Sequence, residues 1–246
     1  MRTRTLNGRR VLVTGASAGI GLAIAEALSA AGAVPLLLAR PGARLADAVA
    51  RTGGLPVPAD LRSASATVEA ISRIGAQVGA FDALVNNAGI VRLDTVADGE
   101  REQWQELLDV NVLGLLDVTR AALPFLTRGE ASQIINISSL AGQRVRHAAQ
   151  SVYAASKAAV DRISAGLRLE LSAAGVRVTT VSPGFTLTNE GAGITRPELR
   201  KRMADGQRQK GLLAADVADQ VVQVLVAPDH VHILEISLQS INQEYF

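Results

Sequence analysis

The sequence predicts an α/β fold: a single doubly wound domain whose parallel seven-stranded sheet carries helices on both faces. Short β-type runs alternate with helical patterns along the whole chain, which is the signature of βαβ units. The early runs are apolar without alternation, as strands buried on both faces require. No linker, repeat or low-complexity stretch divides the 246 residues, a length that suits one large α/β domain spanning 1–246.

The predicted strands are Val11–Val13, Leu36–Leu38, Leu55–Val57, Ala83–Val85, Gln133–Ile137, Val176–Val181 and Val231–Ile236. Amphipathic helical segments lie between them, near 20–31, 43–51, 64–78, 101–127, 152–174 and 215–226. Strand, helix and strand at this spacing imply right-handed crossovers and parallel pairing. Composition agrees, with 48% hydrophobic and 20% charged residues marking an ordered globular chain. Aromatics at 3% leave the core to Ala, Val, Leu and Ile, which favours close helix-on-sheet packing over a β-sandwich.

Several function classes fall away. The net charge of +2, from 25 basic and 23 acidic residues, is too nearly balanced to argue for nucleic acid. The absence of cysteine excludes disulfides, zinc–thiolate sites and thiol catalysis. The start, MRTRTLNGRR, lacks the apolar core of a secretory signal. The longest apolar stretch, Ala33–Ala39, contains Pro35 and is far too short to span a bilayer. A cytoplasmic protein with a small-molecule partner and no membrane or nucleic-acid partner is expected.

The first strand runs directly into Thr14-Gly15-Ala16-Ser17-Ala18-Gly19-Ile20-Gly21 and then a helix. Glycines at a strand-to-helix turn let the backbone approach a phosphate and let the helix pack tightly on the sheet. The helix N-terminus offers N–H groups and the positive end of its dipole to an anion. The bland alternative is a tight turn of small residues, which the strand–helix context disfavours. No carboxylate stands at the end of the second strand, Leu38-Ala39-Arg40, where a ribose 2′-hydroxyl would need one. A fixed cation at Arg40, assisted by Arg44, suits a 2′-phosphate instead. A solvated loop arginine is the competing reading.

Tyr153-Ala154-Ala155-Ser156-Lys157 opens the helical segment after the fifth strand. Residues four apart share one helix face, so phenol and ammonium point into one cleft. Free tyrosine, with a pKa of about 10, exchanges protons poorly near neutrality, and a neighbouring ammonium favours its phenolate. The chain has only three lysines, so one falling four residues after Tyr153 by chance has odds of roughly one in a hundred. Ser139 closes the fifth strand at the carboxyl edge, where ligands bind in open α/β sheets. A hydroxyl there can donate to a carbonyl oxygen that gains negative charge. Asn111, read from the residues alone, is more often a satisfied structural residue in an apolar helix.

The spacing Gly-x3-Gly-x-Gly at Gly15, Gly19 and Gly21 resembles the TGxxxGxG motif of the short-chain dehydrogenase/reductase family, with a Rossmann-type domain. Asp60-Leu61, Asn86-Asn87-Ala88-Gly89 and Pro183-Gly184 follow in the family's order, and the resemblance runs from about residue 8 to 236. It implies a nicotinamide cofactor, NADPH/NADP+, contacted by Gly15, Ser17, Gly19, Ile20, Gly21, Arg40, Asp60, Leu61, Asn87, Ala88, Gly89, Pro183, Gly184, Thr186 and Thr188. It also implies a catalytic tetrad of Asn111, Ser139, Tyr153 and Lys157. In that tetrad Asn111 anchors a water and proton relay, and Lys157 also bonds the nicotinamide ribose. In the family's SSxAG pattern the second serine is catalytic, which favours Ser139 over Ser138. Ser139 precedes Tyr153 by fourteen residues where many relatives have thirteen, one extra residue in the loop. The implied function is hydride transfer between NADPH and a ketone or secondary alcohol, in a homotetramer (or homodimer) formed through the helices around 101–127 and 152–174. A non-catalytic NADP(H)-binding redox sensor on the same fold is the alternative, disfavoured by the complete tetrad.

Substrate signals are weaker. The stretch at about 189–211 corresponds to a substrate lid and carries Arg196, Arg200, Lys201, Arg202, Arg208 and Lys210. These fit recognition of an anionic group or, more readily, a solvated helix face. Arg144, Arg146 and His147, between Ser139 and Tyr153, fit substrate contact and loop surface equally. The C-terminal Pro228–Ile236 resembles the 3-hydroxy acid or serine dehydrogenase branch and similar broad carbonyl reductases, and the tail after Ser237 departs from it. His230 and His232 lack a third ligand nearby in sequence and read as strand-edge residues rather than a metal site.

Overall fold

Seven strands, β1 (Arg10–Thr14), β2 (Val34–Ala39), β3 (Leu55–Pro58), β4 (Ala83–Asn86), β5 (Gln133–Ile137), β6 (Arg177–Pro183) and β7 (Glu235–Leu238), pair in parallel. They form one sheet in the order β3-β2-β1-β4-β5-β6-β7. This computed structural model describes residues 4–126, 132–188 and 193–243. Strand order reverses between β1 and β4, which opens a crevice at their carboxyl ends.

Successive residues of the central strands feed different faces, and both faces are covered. Val13, Val85 and Ile135 pack with Ile24 and Leu28 of α1 (Gly19–Ala30), Leu45 of α2 (Ala43–Thr52) and Val221 of α9 (Ala214–Leu225). Leu12, Leu84 and Ile134 pack with Ile71 of α3 (Ala64–Val78), Val118 of α5 (Gly114–Leu126) and Leu167 of α7 (Ser151–Glu170). A strand apolar on both sides therefore reads as a continuous apolar run.

The structure departs from the sequence reading in three places. The predicted helix over 101–127 is α4 (Arg101–Leu108) and α5 joined by a π-helical turn at Asp109–Leu113, and residue 127 lies outside the described residues. The last strand begins at Glu235 rather than Val231. Before Leu234 the backbone bonds to side chains instead of joining the ladder: Val231 O accepts from Arg177 and Ile233 O from Thr179 Oγ1, and the backbone pairing to β6 starts where Leu234 O accepts from Thr180 N at 3.0 Å. Two helices, α6 (Leu140–Gln143) and α8 (Pro197–Lys210), have no counterpart among the predicted elements. The first is a single turn, and the second has too few buried positions to show a period: Gln207 alone is fully buried.

Candidate active site

The turn after β1 is shaped by what its glycines permit. Gly15 and Gly19 have φ of +66° and +55°, a region that side chains disfavour. Gly21 has ordinary φ, but a β-carbon there would run into the carbonyl oxygen of Gly15 and the amide of Asn87. The N-cap of α1, Ala18, makes no side-chain capping bond, so the first-turn N–H groups remain for an anion. Thr14 ties this turn to the end of β4: its Oγ1 accepts from Asn87 N at 3.0 Å and Ala88 N at 2.9 Å, and Asn87 Nδ2 returns to Thr14 O at 2.9 Å. This threonine was visible in the motif, and its bonding role was not.

Farther along the edge, Arg40 is exposed at the end of β2. Asp60 follows β3 and is ion-paired to Arg62 at 2.5 Å. That guanidinium holds the Asp60 carboxyl below the usual range, and Arg40 adds a smaller pull. Thr188 lies against Gly19, 3.4 Å from where a β-carbon would stand. Ile20, Asn87, Gly89, Pro183, Gly184 and Thr186 line one cleft. The expected cofactor residues Gly15, Ser17, Gly19, Gly21, Arg40, Asp60, Leu61, Ala88 and Thr188 stand around it on the same edge of the sheet without lining it.

Ser139, Tyr153 and Lys157 line that cleft as well. Tyr153 and Lys157 occupy successive turns of α7. Lys157 is buried at 5% exposure, and its Nζ donates to Ile137 O at 3.0 Å. The two serines separate cleanly. Ser138 is buried and donates to Lys157 O at 3.1 Å, whereas half-buried Ser139 caps α6 by accepting from Ala141 N. Ser139 Oγ donates to no described residue, so its proton is available to the cleft.

Asn111 sits in the π turn, 2% exposed. Its Oδ1 accepts from Ile90 N at 2.8 Å, and its Nδ2 donates to Ile90 O at 3.0 Å and Ser156 Oγ at 3.1 Å. Ser156 in turn donates to Tyr153 O at 2.7 Å. A β-carbon on Gly89 would be 3.3 Å from both Asn111 Oδ1 and Lys157 Nζ. Both readings of this asparagine therefore meet: it is fully satisfied, and it borders the lysine.

The loop before α7 divides the candidate substrate residues. Arg146 lines the cleft, while exposed Arg144 does not, and His147 Nδ1 accepts from Ala149 N at 3.2 Å as a turn cap. Residues 189–192 of the expected lid lie outside the described residues. From the rest, Met203 and Gln207 of α8 face the cleft. Three of the basic residues pair elsewhere: Arg196 with Asp94 at 3.0 Å, and Lys201 and Arg208 with Asp205 at 2.6 and 3.1 Å. None of the six basic residues of this stretch is among the residues lining the cleft. Phe185, Gln150 and Gln243 also line the cleft. No spacing in the sequence marks these three, because single polar or aromatic residues on loops carry no period.

A doubly wound sheet with a phosphate-type glycine turn, and a tyrosine–lysine pair at the same edge, defines a nicotinamide-dependent oxidoreductase architecture. The profile of the family described as short chain dehydrogenase matches residues 9–198, and the chain belongs to that family. An uncharacterized oxidoreductase of Staphylococcus epidermidis is 36% identical over 237 residues, covering 94% of this chain and 96% of the relative. Among solved structures, a short chain dehydrogenase from Burkholderia cenocepacia in complex with NADP is 33% identical, with TM-score 0.85 over 96% of this chain and 98% of the other. The closed form of a serine dehydrogenase complexed with NADP+ is 32% identical, with TM-score 0.88 over 96% of each chain.

One charged group beneath the site has no catalytic assignment. Asp161, one turn beyond Lys157, has a buried Oδ1 with no hydrogen-bond partner. Burial pushes its carboxyl up and Glu235 adds to the rise, while the neighbouring Ser138 hydroxyl and the charges of Arg162 and Lys157 oppose it. A carboxyl raised in the folded state binds more protons there than when unfolded, so its contribution to stability falls as pH rises above about 4. Asp161→Asn is therefore expected to gain thermal stability relative to the parent at pH 8 and to lose that advantage near pH 4.5. An advantage that grows toward acid, in paired melting curves, contradicts the assignment.

Proposed function

We propose that the protein interconverts a carbonyl and a secondary alcohol with NADPH/NADP+, with Tyr153 as general acid and base. The observation that carries this reading is the placement of Tyr153 and Lys157 on successive turns of α7, lining one cleft with Ser139. When bound, NADPH supplies the hydride. Tyr153 gives its proton to the carbonyl oxygen, and the buried ammonium of Lys157 favours the phenolate that remains. Ser139 donates to the same oxygen as negative charge develops on it. Asn111 fixes the Ile90 backbone and Ser156, which holds the β4 loop and the second turn of α7 around Lys157.

The turn from Gly15 to Gly21 suits a pyrophosphate, since its glycines leave the backbone without side chains and the helix N-terminus makes no side-chain capping bond. Arg40 suits a 2′-phosphate, and two structural relatives were solved with NADP or NADP+. Arg146 brings a cation to the substrate side, and no Asp or Glu is among the described lining residues. That balance favours substrates bearing an anionic group, as serine does in the relative named for it.

Steady-state kinetics on ketones, keto acids and their esters test this reading. Tyr153→Phe is expected to lower kcat by about 10²–10⁴-fold while the protein still binds NADPH. Arg40→Asp is expected to weaken NADPH use relative to NADH by roughly tenfold or more. Full activity in the first variant, or an unchanged cofactor ratio in the second, overturns the corresponding role.

The same reading includes assembly into a homotetramer (or homodimer). Leu113 is half exposed, and Leu108 and Leu116 are each 39% exposed, all on the α4–α5 segment, a surface suited to a second copy. Sedimentation equilibrium at micromolar concentration should give a multiple of the monomer mass, and a monomer contradicts it.

A further inference from the structure

After β7 the chain turns back on itself and returns to the cleft. Gln243 N donates to Ser240 O at 2.9 Å, and Gln239 Nε2 donates to Gln243 O at 3.0 Å, closing the turn. Exposed Ile241 stands at its tip, whereas Gln243 itself is 5% exposed. The Gln243 side chain lies over Gly184, where a β-carbon would run into Gln243 Oε1. Phe185 N donates to that oxygen at 2.9 Å.

This bond fixes the orientation of the amide. An N–H requires an acceptor, so the oxygen faces Phe185 and the NH2 group faces away. Nε2 makes no hydrogen bond to another described residue, although the side chain is almost wholly buried and lines the catalytic cleft. That nitrogen is not sealed off from the cleft, so its N–H groups are open to an acceptor on a bound molecule. The neighbours identify which ligand. Phe185 packs against Gly206 of α8, with 3.3 Å between its ring and the position of a Gly206 β-carbon. Met203 and Gln207 of the same helix line the cleft beside it. Gln243 thus borders the wall formed by the β6–α8 segment rather than the glycine turn after β1.

We propose that Gln243 is a specificity-determining residue whose Nε2 donates to an acceptor oxygen of the substrate. This rests on the oxidoreductase reading given above. The C-terminal tail then takes part in substrate recognition, and Gly184 is glycine partly to admit it.

Gln243→Glu separates this role from a structural one. It is isosteric, keeps an oxygen for Phe185 N and replaces the donor with a second carboxylate oxygen. In the full-length enzyme with NADP(H), kcat/KM for the best panel substrate is expected to fall about tenfold or more, chiefly through KM, with NADP+ Kd within about twofold of the parent. The deficit relative to the parent should shrink as pH is lowered toward 5, where about a sixth of a glutamic acid of pKa 4.3 is protonated and can donate again. Gln243→Leu, which removes both groups, should show the same KM defect without the pH-dependent recovery. Parental KM in Gln243→Glu, or a defect confined to NADP+ Kd, overturns the proposal. If Tyr153-dependent turnover is present in the parent when that happens, the tail assignment alone falls. Absence of turnover with every substrate overturns the oxidoreductase reading and this inference together.

Discussion

Asn111 bonds both backbone groups of Ile90 from inside the π turn, so the loop leaving β4 cannot shift without breaking two hydrogen bonds in a buried place. Each such loss costs on the order of 1–3 kcal/mol when the group left behind is buried. The third bond, to Ser156, extends the constraint into the second turn of α7, and Ser156 passes it to the backbone of Tyr153 in the first. The sheet edge, the α4–α5 helix and the helix that carries Tyr153 are therefore held by one side-chain amide. The amide sits in a π turn, and such turns recur at functional sites.

The cofactor end follows a parallel logic. Thr14 binds the turn after β1 to the turn after β4, and the missing β-carbon at Gly21 lets α1 begin close against both. The result is a rigid wall of backbone N–H groups on one side of the crevice and a buried ammonium on the other. Lys157 is held there by Ile137 O, at the end of the next strand. Rigidity here matters chemically, because proton and hydride transfer both require their partners placed before reaction.

Much of this was legible in the sequence. Periodicity located the central strands because residues such as Leu84 and Val85 are buried on opposite faces, a condition that leaves an apolar run of recognisable length. The tyrosine–lysine spacing placed two groups on one helix face, and helix geometry makes that inference robust. What escaped depends on contacts distant in sequence. The carbonyls of Val231 and Ile233 bond to the side chains of Arg177 and Thr179, so a β-like pattern there does not become a strand. Arg144 and Arg146 were indistinguishable until the loop geometry turned only one into the cleft. Gln243 gave no signal, since its place in the cleft comes from a return of the tail that no local preference encodes.

The account stands on hydride transfer at this cleft. Incubation of the protein with a carbonyl panel and NADPH carrying deuterium at the transferable position, followed by mass spectrometry of the products, measures it directly. The account predicts alcohol with one deuterium on the carbinol carbon. NADPH that binds tightly and delivers deuterium to no carbonyl would contradict it, and would instead mark a sensor built on the same fold.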